Sequence, residues 1–117
     1  MYFSLKFEGN LATPKSLDIL SDPHVTLAYL PTEEQKHILD QYVGQEFTVT
    51  VIGYGNDGQN EGYMVSLPES LPYFNKATPH ITISVKKNVK PVNTGYIAFE
   101  PIDEPFELTG VVTLIEW

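Results

Sequence analysis

The chain has 117 residues, 42% hydrophobic and 19% charged, which fits one globular domain with a real core and is too short for two independent ones. Its 15 acidic against 7 basic side chains give a net charge of -8, which argues against a protein that follows long nucleic acid by neutralising phosphates. Without cysteine, disulfides and thiolate metal sites are excluded, and no run of residues approaches the length of a membrane span.

Met1 to Glu8 lacks the basic start and apolar run of a secretory leader, so a cytoplasmic protein is expected. Tyr2 to Phe7 alternates as a first strand, ended by Gly9-Asn10. Thr13-Pro14 can open a short helical turn through Leu17 and Leu20, because proline is tolerated at the first helical position. Ser21-Asp22-Pro23 is a turn leading into a β-branched, apolar strand from His24 to Leu30. Thr32 as N-cap, Gln35 three residues later and Glu33-Glu34 in the first turn then mark a helix start. Ile38, Leu39, Tyr42 and Val43 share its buried side, Gly44 stops it, and His37 reads as a solvated or packing residue.

Glu46 to Tyr54 alternates Phe47, Val49 and Val51 against Thr48, Thr50 and Ile52 as a strand. The glycine cluster Gly53 to Gly58 resembles a phosphate-cradling loop only superficially, since no Gly-Lys-Ser/Thr and no helix follow; a hairpin turn is expected, with Gly62 to Leu67 as partner strand. Pro68 to Lys76 reads as a loop or short helix covering the sheet. A second motif strand reaches Val85, followed by Lys86, Lys87 and Lys90, a basic cluster that is either a solvated loop or a rim drawing phosphate. Pro91 to Gly95 is a turn-rich link, Tyr96 to Phe99 a short strand, and Phe106 to Trp117 a closing strand. Many strands with one clear helix and no βαβ alternation point to an antiparallel α+β fold.

The feature that stands out is a repeat. Asp22-Pro23-His24-Val25-Thr26-Leu27 and Thr78-Pro79-His80-Ile81-Thr82-Ile83 share proline, histidine, apolar, threonine, apolar, and take two of the three histidines in the chain. Side chains alternate along a strand, so His24 shares a face with Thr26 and His80 with Thr82, each pair about 7 Å apart along its axis. One His-x-Thr is ordinary; two copies facing one cleft would make a site. Neither motif carries the third ligand zinc would want, nor an acidic residue evidently aimed at a histidine as a serine-type triad requires. Phosphodiester cleavage fits better. Imidazole, with an ordinary pKa of about 6.5, can serve as base or acid near neutrality, and the threonine hydroxyls can hold non-bridging phosphate oxygens. Tyr29, Tyr54, Tyr63, Tyr73 and Phe74 are each core residues or base-stacking platforms.

Pro23 to Pro31 and Pro79 to Gly95 resemble the two motifs of the 2H phosphoesterases, and the stretch His80 to Gly95 is similar to that of 2′,3′-cyclic nucleotide phosphodiesterases and RNA-repair cyclic phosphodiesterase domains. Ser84 stands where that branch often has glycine. The resemblance implies a bilobal α+β domain spanning 1–117, antiparallel sheets with one or two helices, and motif strands flanking a central cleft. It implies His24 and His80 as acid and base and Thr26 and Thr82 as phosphate binders; beside it, aromatic character and positive charge make Tyr29, Phe74 and Lys86 candidate substrate contacts. The expected activity is metal-independent hydrolysis of 2′,3′-cyclic phosphates on small nucleotides or RNA ends, by a monomer without cofactor or membrane partner. Two alternatives stand beside it: a hydrolase of 2′-5′-linked or cyclic oligonucleotide signals, as in a viral anti-defence enzyme, and a non-catalytic nucleotide-binding module.

Overall fold

The computed structural model describes residues 1–8, 17–20 and 22–116. Within them lie β1 (Tyr2–Lys6), β2 (Ile19–Leu20), β3 (His24–Tyr29), α1 (Glu33–Asp40), β4 (Glu46–Asn56), β5 (Asn60–Ser66), β6 (His80–Val85), a 3₁₀ helix (Pro91–Tyr96) and β7 (Glu100–Ile115). All strand pairs are antiparallel and form one seven-stranded sheet of order β2-β6-β5-β4-β7-β1-β3. Strands β3 and β6, distant in that order, contact each other, so the sheet curls into a nearly closed barrel. The fold is thus antiparallel α+β. Where two sheets were expected, pairing is continuous, because β7 bridges β4 and β1.

The core follows from alternation. Phe3 and Leu5 of β1, Val25 and Leu27 of β3, Val49 and Val51 of β4, Ile81 of β6 and Val112 of β7 all point inward and are buried. Helix α1 begins as expected: Thr32 Oγ1 accepts from Gln35 N at 3.2 Å, and Gln35 Oε1 accepts from Thr32 N at 3.1 Å. Leu39 is its buried anchor, and Tyr42 packs on the core from the turn that follows. Val43 is 45% exposed, because the helix ends at Asp40 and a turn to Gly44 (φ +90°) carries Val43 off the buried side.

Other boundaries differ from expectation. Strand β3 stops at Tyr29 because Leu30 has a left-handed backbone (φ +48°). Gly53 and Gly55 lie inside β4, and the hairpin turn is confined to Asp57-Gly58-Gln59, with Gly58 at φ +87°. Gly55 is needed for close approach: a Cβ there would stand 2.5 Å from the Ala98 carbonyl oxygen. Strand β5 begins at Asn60, two residues before the expected start. Tyr96 to Phe99 is not a strand; Tyr96 ends the 3₁₀ helix and residues 97–99 cross above Gly55. The last strand starts at Glu100 rather than Phe106. Thr13-Pro14 and Trp117 lie outside the described residues, and where the expected helical turn reaches Leu20 the chain instead forms β2, paired with β6.

Beneath β6 sits a buried polar network. Glu61 is fully buried, accepts a short hydrogen bond from Tyr54 Oη and another from Ser84 Oγ at 2.7 Å, and Ser84 Oγ itself accepts from Leu17 N. Its removal would leave hydroxyls without their acceptor in a dry interior. Glu61→Ala is expected to cost about 2–4 kcal/mol of stability and Glu61→Gln clearly less, read from urea midpoints at constant m.

Candidate active site

Both motifs are built the same way. Each proline is placed just ahead of its strand's first residue, where a missing N–H costs no ladder bond. The proline carbonyls still pair sideways: Pro23 O accepts from Phe7 N at 3.1 Å, and Pro79 O accepts from Val65 N at 3.0 Å. The carbonyl before each proline turns to the histidine instead. Asp22 O lies 2.8 Å from His24 Nδ1, and Thr78 O lies 2.7 Å from His80 Nδ1. A carbonyl can only accept, so in both rings Nδ1 carries the hydrogen and Nε2 is left to act as acceptor or, when protonated, as donor.

A register shift then follows each motif at the same place. On β3, Thr26 pairs with Ser4 and Ala28 with Phe3, so Leu27 is the extra residue. On β6, Thr82 pairs with Gly62 and Ser84 with Glu61, so Ile83 is the extra residue. Such bulges reset which face the following side chains occupy. Ala28 and Ser84 are thereby turned inward and are buried, while Tyr29 joins the face of His24 and Thr26. Ser84 is spent on Glu61 and does not line the cleft.

His24, Thr26, Tyr29, His80 and Thr82 converge on one cleft of about 520 Å³, completed by Asn75, Lys90, Pro91 and Val92. A hollow of about 670 Å³ elsewhere, bounded by Lys6, Phe7, Glu8 and Val111, has neither motif threonine nor an imidazole. Phe74 lies outside the cleft: its side chain packs on the core and its N–H is fixed to Leu27 O at 2.8 Å, leaving Asn75 to face the opening. Lys86 is also outside it, on the exposed turn after β6, and Lys90 supplies the cation at the cleft. Sequence reasoning grouped Lys90 with Lys86 and missed Asn75, which no motif marks.

The two histidines differ in setting. His80 is 8% exposed and His24 half-buried. Burial above all, aided by the nearby charge of His24 and opposed by the bond to Thr78 O, holds His80 below the ordinary 6.5. His80 therefore stays neutral into mildly acidic solution. Gly95 backs its ring, since a Cβ there would lie 2.8 Å from His80 Cε1 and 2.9 Å from Nδ1. Thr82 Oγ1 donates to Pro91 O at 3.2 Å, tying the strand to the 3₁₀ helix; a ligand anion would take over that hydrogen. Among the described residues no group of three or more histidine, aspartate or glutamate side chains is placed to hold a metal ion. Compared with protein-family models and with curated protein sequences, the chain matches none.

Titration of the imidazole protons by NMR should give His80 a pKa below 6.5, moving toward that value in His24→Gln as the neighbouring charge is removed. The sign for stability follows: with the folded pKa depressed, the unfolded chain binds more protons, so stability falls as pH drops below about 6.5. Gly95→Ala, whose Cβ would collide with Ala77 Cβ and stand 2.8 Å from His80 Cε1, should displace the His80 ring and lower stability together, read as a changed Nδ1 proton shift and a lowered Tm.

Proposed function

We propose that this chain is a metal-independent phosphodiesterase of the 2H type that opens 2′,3′-cyclic phosphates on nucleotides or RNA ends. The observation that carries the reading is the duplicated anchoring of two imidazoles through Nδ1, which leaves two Nε2 atoms and two threonine hydroxyls for one cleft. His80, neutral because buried, takes a proton from water. The water oxygen bonds to phosphorus, the P–O3′ bond breaks, and His24 gives its Nε2 proton to the departing 3′ oxygen. A 2′-phosphate remains, and the two imidazoles have exchanged protonation states, to be reset through solvent. Thr26 and Thr82 donate to the non-bridging oxygens as charge accumulates on them, with Lys90 adding long-range attraction.

Within this reading the pseudo-symmetric halves of the 2H fold correspond to β6-β5-β4 and β1-β3, each with one motif strand that carries a bulge at the equivalent residue. The same four side chains would serve a 2′-5′ linkage, and a binding module would keep its ligand without turnover. A screen of cyclic mononucleotides, RNA ending in a cyclic phosphate, 2′-5′ oligoadenylate and cyclic dinucleotides, read by product mass, separates these. Hydrolysis of the cyclic phosphates is expected; no conversion of any of them, with binding retained in His24→Ala and His80→Ala, would leave the binding module.

Each His→Ala change should lower kcat by about 10²- to 10⁴-fold, and Thr26→Ala or Thr82→Ala by about ten- to a thousandfold. The kcat/KM profile should be a bell whose acidic limb falls below pH 6.5, since that limb reports loss of the neutral His80. Activity should survive EDTA; loss that a divalent ion restores would overturn the mechanism.

A further inference from the structure

On the other side of His24, which lines both, lies a second, smaller hollow of about 180 Å³, lined by Tyr2, Ser4, Lys6, Asp22, His24 and Ile115. The pairing explains its position. Ser4 stands opposite Thr26, Lys6 opposite His24 and Tyr2 opposite Tyr29, so the outward row of β1 extends the functional face of β3 by one strand. The Tyr2 ring lies 6.2 Å from the His24 ring and 6.4 Å from that of Tyr29, adjoining both compartments.

Ser4 is fully buried, and among the described residues its Oγ is the buried side-chain polar atom with no hydrogen-bond partner. A buried hydroxyl with no protein partner has its hydrogen-bonding capacity free, and the polar edge of a ligand in the hollow that Ser4 lines would supply the partner. The hollow is too small for a whole nucleotide, since pockets for ligands of that size run from about 300 Å³ upward. Lys6 and Asp22 carry opposite charges, so it offers no net attraction to a second phosphate. An aromatic face, an aliphatic wall from Ile115 and one hydroxyl suit a flat, neutral ring with a polar edge.

We propose that this hollow receives the nucleobase of the nucleoside bearing the leaving oxygen, with Ser4 Oγ reading its hydrogen-bonding edge and Tyr2 supplying a contact face. The inference rests on the phosphodiesterase reading for its orientation: His24 protonates the leaving oxygen, so whatever that oxygen is attached to lies on the His24 side. Ser4 is then a specificity residue and takes no part in bond cleavage.

The test compares kcat/KM for the four 2′,3′-cyclic mononucleotides and for base-free ribose 2′,3′-cyclic phosphate, in the wild type and in Ser4→Ala. The wild type should spread the four bases over at least about tenfold and turn over the base-free substrate more slowly than the best of them. Ser4→Ala should compress that spread to about two- to threefold while its Tm is equal or higher, because the substitution removes an unpaired hydroxyl. Equal rates for all five substrates in the wild type, an unchanged ranking in Ser4→Ala, or a lowered Tm showing that the hydroxyl serves the fold, would each overturn the assignment. If none of the five is hydrolysed, the phosphodiesterase reading fails by itself, and amide NMR shifts on adding adenosine, guanosine, cytidine or uridine decide the hollow. Shifts at Tyr2, Ser4 and Ile115 that differ among the nucleosides and weaken in Ser4→Ala support it; their absence overturns it. Tyr2→Leu, which changes the contact face and leaves the hydroxyl, should weaken all four bases together; a loss confined to one base would overturn the role given to Tyr2.

Discussion

The carbonyl two residues before each histidine is the constraint on which the site depends. A proline between them leaves that carbonyl without a neighbouring N–H on its own chain, and extended geometry before proline directs it along the strand toward the imidazole. The proline's own carbonyl is meanwhile held by the adjacent strand, Pro23 by Phe7 and Pro79 by Val65. One peptide is thus pinned sideways so that the preceding one can fix a ring. Both rings are thereby set in a single tautomer, and histidine enters the cleft as a pre-oriented group rather than as a mobile side chain.

Two fixed rings make a site only if they meet, and that is the work of the last strand. Strand β7 pairs with β4 along one part of its length and with β1 along the other, joining the half that holds β6 to the half that holds β3. His24 and His80 are 56 residues apart, and β3 meets β6 directly only where the sheet curls round. Convergence requires the whole curled sheet, with its long-range pairings, and these are the slow steps in assembling a β domain. The cleft is therefore a property of the complete fold, whereas the orientation of each imidazole is local.

That division explains what could be read in advance. The capping box at Thr32 and Gln35, the strands carrying His24 and His80, and their alternating cores are local patterns, and they are legible in the sequence. Tyr29 and Ser84 reach their positions by another route. Strict alternation sets Tyr29 with Val25 and Leu27, and Ser84 with Thr82; bulges at Leu27 and Ile83 reverse both, and nothing in those residue types announces a bulge. Phe74 and Asn75 exchanged expectations for a similar reason, since the loop's exit angle is fixed by the bond from Phe74 N to Leu27 O on a distant strand. The start of β7 was hidden by Pro101, Pro105 and three acidic residues, Glu100, Asp103 and Glu104, a composition that reads as loop until β4 is found beside it.

If the proposed substrate is anionic, the acidic side chains must stand away from the cleft. Glu100 and Glu107 pair with β4, Asp103 and Glu104 lie in the irregular stretch between them, and β7 lies two strands from β3 and three from β6 in the sheet order. At about 4.8 Å per strand these carboxylates stand on the order of 10–15 Å along the sheet from the motif strands. None of these carboxylates lines the cleft, whereas Lys90 does. A single cation at the opening attracts one phosphate without offering the row of contacts that a long backbone needs. On the proposed phosphodiesterase reading, that placement would favour a terminal or small phosphodiester over a long nucleic acid.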